Sequence, residues 1–155
     1  MIGALSKEAF VNQTLHTLDG RELALADDVV AGLESRLDGT VIRSGESGYD
    51  EARSVWNGMI DRRPALIVRC AGTPDVVAAV RFAREHEFPV AVRGGGHGVA
   101  GHAVSDGAIV LDLSQLGDVK VDAERRLVRA GGGCRLGDVD GATQEHGLAV
   151  PFGVV

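Results

Sequence analysis

Nine residues, Arg93-Gly94-Gly95-Gly96-His97-Gly98-Val99-Ala100-Gly101, set the terms on which this chain can fold. Five of the nine are glycine. Glycine loses more backbone freedom on folding than any other residue, so such a run disfavours a helix or strand interior and predicts a loop. The apolar stretch Pro89-Val90-Ala91-Val92 leads into it and predicts a buried strand. A backbone without Cβ atoms can take positive φ and approach a bound group closely. Successive amides turned inward form an anion-binding nest. His97 stands among the glycines with almost no side chain to crowd it. These residues predict a loop that holds a phosphate-bearing cofactor, with the imidazole touching the cofactor's reactive part. The alternative is a tight glycine-rich crossover without a ligand, in which His97 is merely packed or solvated. Three glycines before His97 and one after it favour close approach by something large.

The flanking sequence reads as strands and helices in alternation. Pro64-Ala65-Leu66-Ile67-Val68-Arg69-Cys70 predicts a strand with proline at its start, where a missing N–H costs least. Thr73-Pro74-Asp75 opens a helix over 73–87, with Val76, Val77, Val80, Phe82 and Ala83 as its buried face. Strands at 65–70 and 90–93 joined by a helix predict a parallel β-α-β unit. A third strand is expected at 107–113, a hairpin at 119–121 and 127–130, and a helix from Leu136 to His146 closed by Gly147. A second glycine run, Gly131-Gly132-Gly133, precedes that helix. Fourteen of the 22 glycines lie in 93–155, which places the chemistry in the second half. Earlier in the chain, a short helix is expected at 5–18, a helix at 26–37, a strand at 41–42 and a loop at 44–48, before a mixed-polarity stretch at 49–56. The chain stops at Pro151-Phe152-Gly153-Val154-Val155 inside an apolar stretch, which predicts a fragment of a longer protein.

Several alternatives fail on spacing or charge. Gly96-His97-Gly98-Val99-Ala100-Gly101 matches the G-x-G-x-x-G fingerprint of nicotinamide dinucleotide binding. That fingerprint must open a helix, and a helix does not fit between Gly101 and the strand at Ala108. No Gly-Lys-Ser or Gly-Lys-Thr marks a phosphate loop, and no Gly-x-Ser-x-Gly marks a nucleophile elbow. His97, His102, Asp106 and Asp112 match no metal spacing; Asp112 is expected to accept backbone N–H bonds at a strand end. Arg62, Arg63 and Arg69 are expected as solvated or paired charges, and Trp56 as a core residue. The net charge is -6, with nine acids and four bases in residues 1–50, and nothing forms the basic face that nucleic acid requires. No apolar run approaches the ~20 residues of a membrane span, and no signal-peptide pattern opens the chain. Cys70 and Cys134 match no metal or redox spacing, which fits a cytoplasmic setting.

Arg93 to His97, Val99 to Gly101 and the run Asp106-Gly107-Ala108-Ile109-Val110-Leu111-Asp112-Leu113-Ser114 together resemble the FAD-linked oxidases of the vanillyl-alcohol oxidase / para-cresol methylhydroxylase (PCMH) type. The berberine bridge enzyme-like branch of bacteria is most similar. Trp56-Asn57-Gly58-Met59-Ile60-Asp61-Arg62-Arg63-Pro64, Gly132 to Val139 and His146 to Val155 carry the same resemblance. It implies an α+β fold: a PCMH-type FAD-binding domain over 49–155, truncated at its C-terminal end, behind an N-terminal extension over 1–48. That domain would hold a β-α-β subdomain and an incomplete second, mixed one. It further implies that Arg93, Gly94, Gly95, Gly96, His97, Gly98, Val99 and Gly101 cradle the FAD pyrophosphate. His97 matches the family's histidine bonded to the flavin 8α-methyl, and a neutral imidazole is a competent nucleophile for such a bond. Pro151, Gly153, Val154 and Val155 match a second loop that approaches the flavin. Val155 stands where some relatives carry a second, cysteine attachment, so that bond is not expected. Cys134, at a helix start, is expected to be a small packed side chain. The family's substrate pocket and catalytic base lie beyond the matched part, leaving a small-molecule substrate of alcohol, sugar or amine type undefined, with dioxygen as the expected acceptor.

Overall fold

The computed structural model describes residues 14–17 and 19–153. The expected helix at 5–18 lies mostly outside them; its last described part is instead a strand, β1 (Thr14–His16), paired antiparallel with β2 (Glu22–Ala24). Then follow α1 (Asp27–Glu34), β3 (Thr40–Arg43), α2 (Tyr49–Arg53), β4 (Leu66–Arg69), α3 (Thr73–Glu85) and β5 (Val90–Arg93). The last described elements are β6 (Ile109–Asp112), β7 (Val119–Asp122), β8 (Leu127–Ala130) and α4 (Leu136–Gln144).

The principal sheet has four strands in the order β3-β4-β6-β5. β4 and β5 both run parallel to β6, and β3 is antiparallel to β4. The expected β-α-β unit is therefore present as β4-α3-β5, but its two strands do not touch. β6, which comes later in the chain, lies between them, with Leu66 and Val90 both in register with Ile109. The four residues of β6 are all buried, as a central parallel strand covered on both faces requires.

Alternate residues of β4 and β6 feed two apolar clusters, one per face. Leu66, Val68, Ile109 and Leu111 pack with Val30 and Leu33 of α1 and with Ala79, Phe82 and Ala83 of α3. Ile67 and Val110 pack on the other face with Ala91, Val104, and Tyr49 and Ala52 of α2. The 1–48 segment expected as an extension thus contributes α1 to the core and β3 to the same sheet. The buried face of α3 also differs from the expected one. Ala79, Phe82 and Ala83 point inward, whereas Val77 and Val80 are exposed. Five valines and alanines in a row, Val76 to Val80, do not reveal which face the sheet will cover. On α4, Val139 is buried while Leu136 is exposed; His146, expected at the end of the helix, lies beyond Gln144 and is exposed.

Asp75 ties α1 to α3. Its carboxylate is 1% exposed and accepts the N–H groups of Asp38 at 3.0 Å, Gly39 at 2.9 Å and Ala71 at 2.8 Å. Burial opposes its ionised form, but these backbone donors, with Gly72, outweigh burial and hold its pKa below the ordinary value. A depressed folded pKa contributes stability above the unfolded value of ~3.9, and that stability drains away as pH falls through the folded value. Asp75→Asn removes the charge and turns a donor group toward backbone N–H groups. We expect it to cost about 3 kcal/mol in urea unfolding at pH 7, and less at pH 3.

Candidate functional site

The glycine loop leaves the sheet where β5 ends, with the Leu113 N–H donating to Arg93 O at 2.8 Å. It does not open a helix, as the short spacing to β6 predicts. Gly96 and Gly101 take positive φ, 71° and 72°, and the Gly101 N–H returns to Gly98 O at 3.0 Å to close a turn. The back of the loop is tight. A Cβ on Gly94 would lie 2.5 Å from Gly132 O, so the two glycine runs touch each other. One on Gly101 would lie 2.7 Å from the Ile60 side chain. The front is bare: a Cβ on Gly98 meets nothing within 4 Å. Among the described residues, the N–H groups from Gly95 to Val99 donate to no backbone carbonyl.

That bare face forms one wall of a cleft of about 520 Å³. Gly95, His97, Gly98 and Val99 line it from the loop, and Gly153 lines it from the C-terminal stretch. Cys134, Arg135 and Leu136 close it from the start of α4. The expected site residues therefore divide. Gly95, His97, Gly98, Val99 and Gly153 share the cleft; Arg93, Gly94, Gly96 and Gly101 lie behind it; Pro151 is exposed and does not line it; Val154 and Val155 lie outside the described residues. Arg93 turns its guanidinium toward α2, where Nη1 donates to Ala52 O. Its Nε is buried beneath Gly96 and has no hydrogen-bond partner among the described residues. This places Arg93 as a brace under the loop rather than a cleft residue.

Trp56 corrects its expected place. It is 63% exposed, not core, and its indole stacks against the His97 imidazole, with centroids 6.1 Å apart and planes 28° apart. Cys134 is half-buried in the cleft wall, with Sγ 3.5 Å from Asp118 O, where a packed side chain is expected. Cys70 is fully buried, and burial pushes its thiol up to about 11, which keeps it unreactive. The second glycine run and the α4 start are the parts of the site that local sequence does not reveal. Their signal is Gly131-Gly132-Gly133, but its contact with Gly94 spans 38 positions of sequence.

Two of the arginines expected as solvated or paired charges are paired. Arg62 pairs with Asp106 at 2.7 Å and Arg69 with Asp112 at 3.5 Å. Asp112 also accepts the Ser114 N–H at 3.0 Å, as a strand-end residue does. Among the described residues, no three His, Cys, Asp or Glu side chains gather to hold a metal, and no helix is long and apolar enough to cross a membrane.

The family described as "FAD binding domain" matches residues 64–154. (R)-6-hydroxynicotine oxidase of Paenarthrobacter nicotinovorans is 37% identical over 118 residues, covering 76% of this chain and 26% of that enzyme. An FAD-linked oxidoreductase of Aspergillus fumigatus is 38% identical over 113 residues, covering 73% and 24%. The crystal structure of 6-hydroxy-D-nicotine oxidase from Arthrobacter nicotinovorans superposes with a TM-score of 0.68 at 37% identity, over 72% of this chain and 24% of that one. Glucooligosaccharide oxidase of Acremonium strictum, described with a 6-S-cysteinyl, 8α-N1-histidyl FAD, gives 0.69 at 26% identity over 77% and 25%. The chain spans about a quarter of the length of these relatives. The expected α+β architecture of the PCMH-type FAD-linked oxidases is the one these structures share with it.

Proposed function

The chain belongs to the FAD binding domain family, and from that premise we propose that it forms the N-terminal, cofactor-holding part of an FAD-dependent oxidoreductase. The observation that carries this reading is the cleft with a glycine-rich loop wall that carries one imidazole. Bare, undonated amides from Gly95 to Val99 suit an anionic pyrophosphate. Val99 and Leu136 suit the apolar faces of a flat ring system. A cavity of about 520 Å³ accommodates part of a dinucleotide, with the remainder reaching solvent or further chain. When bound, FAD supplies the two-electron acceptor that no side chain provides.

The roles of individual residues follow from their places. Gly95 and Gly98 let the pyrophosphate approach the backbone. Gly94, Gly96 and Gly101 shape the loop from behind, and Arg93 props it against α2. Val99 and Gly153 flank the ring. His97 offers an imidazole nitrogen for a bond to the flavin 8α-methyl. That bond replaces one N–H and one C–H, releases two protons, and leaves two electrons for dioxygen to remove. Substrate oxidation at an alcohol, sugar or amine carbon, with dioxygen as acceptor, requires the three quarters of the family's length that this chain does not match. The reducing chemistry of the cytoplasm suits the free thiols Cys70 and Cys134.

The test is optical. The chain purified after expression with riboflavin should carry a flavin spectrum, and acid precipitation should leave the colour in the pellet. A protein that stays colourless after incubation with millimolar FAD would overturn the proposal. Colour that passes wholly into the supernatant would leave FAD binding intact and remove the covalent bond.

A further inference from the structure

We propose that Trp56 is a positioning residue for His97, its indole fixing the direction in which the imidazole presents its nitrogen to the cleft. The inference rests on the reading of His97 as the attachment residue. His97 lies between Gly96 and Gly98, so its own loop offers no side chain to hold the ring. On one side the ring lies back over Gly95, where an added Cβ would come within 3.2 Å of Cδ2. On the other side is the Trp56 indole.

Trp56 is not at this place through core packing, since most of its surface is exposed. It is held there by the backbone. Its N–H donates to Gly96 O at 3.1 Å, which fixes its Cα beside the residue that precedes His97. Asn57 continues the attachment. Its Nδ2 donates to Val99 O at 2.9 Å while its Oδ1 accepts the Met59 N–H at 3.1 Å, so both ends of the amide are committed. Ile60 then fills the space that a side chain at Gly101 would need. The stretch 56–60 is thus strapped along 96–101 at three points, and the strap delivers one large flat ring to the imidazole. A glycine-flanked histidine without that ring would sample several rotamers. Reaction geometry tolerates little of this: a misplacement of ~1 Å costs ~100-fold in rate.

The test compares the 155-residue chain with its Trp56→Leu, Trp56→Phe and His97→Ala variants. Without FAD, the His97 ring protons should be shifted upfield by the indole, a spectroscopic signature assigned by their loss in His97→Ala. Trp56→Leu should return them to free-histidine positions, and Trp56→Phe should retain part of the shift. With FAD, Trp56→Leu should accumulate acid-stable flavin about tenfold more slowly, with reversible FAD retention unchanged. Trp56→Phe should stay within about threefold of the parent rate. Unchanged His97 resonances in Trp56→Leu, or an unchanged attachment rate, would overturn the inference. If the parent chain itself holds no acid-stable flavin, the attachment reading fails separately, and the His97 resonances alone decide whether Trp56 orders the ring.

Discussion

Replacing His97 with alanine should abolish acid-stable flavin and leave FAD reversibly bound. The two halves of this expectation come from different parts of the site. The bond needs an imidazole nitrogen, and among the cleft-lining residues His97 is the one that carries it. His102 lies beyond the Gly101 turn and does not line the cleft. Reversible binding is assigned to the backbone of Gly95 to Val99, which the substitution leaves in place. Folding should also survive. His97 is exposed, and the ring it stacks on is itself mostly exposed, so the change in stability should stay within about 0.5 kcal/mol. Flavin absorption of the acid pellet and a thermal melt, measured together, check both halves. A pellet that keeps its colour would place the bond on another residue.

Two glycine substitutions in the same loop should behave in opposite ways. Gly94→Ala drives a methyl to 2.5 Å from Gly132 O. Gly132 has little room to retreat, because its own Cα faces the Leu113 side chain, where an added Cβ would lie 2.9 Å from Cδ1. Overpacking of this kind costs about 3 kcal/mol, and the clash also levers the loop away from the α4 side of the cleft. Stability and FAD retention should fall together. Gly98→Ala meets nothing within 4 Å and leaves a residue of negative φ, so its melting temperature should match the parent. Its methyl nonetheless projects from the wall proposed to hold the pyrophosphate, and FAD retention should drop at least tenfold. Equal FAD retention in Gly98→Ala and the parent would show that the cofactor does not approach that backbone. Equilibrium dialysis and thermal melts on the three proteins separate these outcomes.

Much of this fold is legible in local sequence. The run of apolar residues from Ala65 to Cys70, the Thr73-Pro74 helix start and the Pro89 break place β4, α3 and β5 close to where they lie. The loop at 93–101 declares itself by glycine content and by the short distance to Ala108, which leaves no room for a helix. What is not legible is non-local. Nothing in 65–93 tells that β6 will insert between β4 and β5, because strand order is decided by packing on both faces of the sheet. Val77 and Val80 look as buried as Val76, and only the position of the sheet turns them outward. Trp56 reads as core because large aromatics usually are; a backbone bond to Gly96 holds it at the surface instead. The contact of Gly94 with Gly132 joins the two glycine runs into one site, and neither run alone contains a hint of the other.

The central claim, that His97 carries the flavin in the cleft, is tested most directly by peptide mapping. Trypsin cuts after Arg93 and Lys120, releasing residues 94–120, which contain His97 and His102. We expect flavin fluorescence to elute with this peptide, and fragmentation to place the flavin mass on His97. Flavin mass on His102, on Cys134 or on any other peptide would contradict the account.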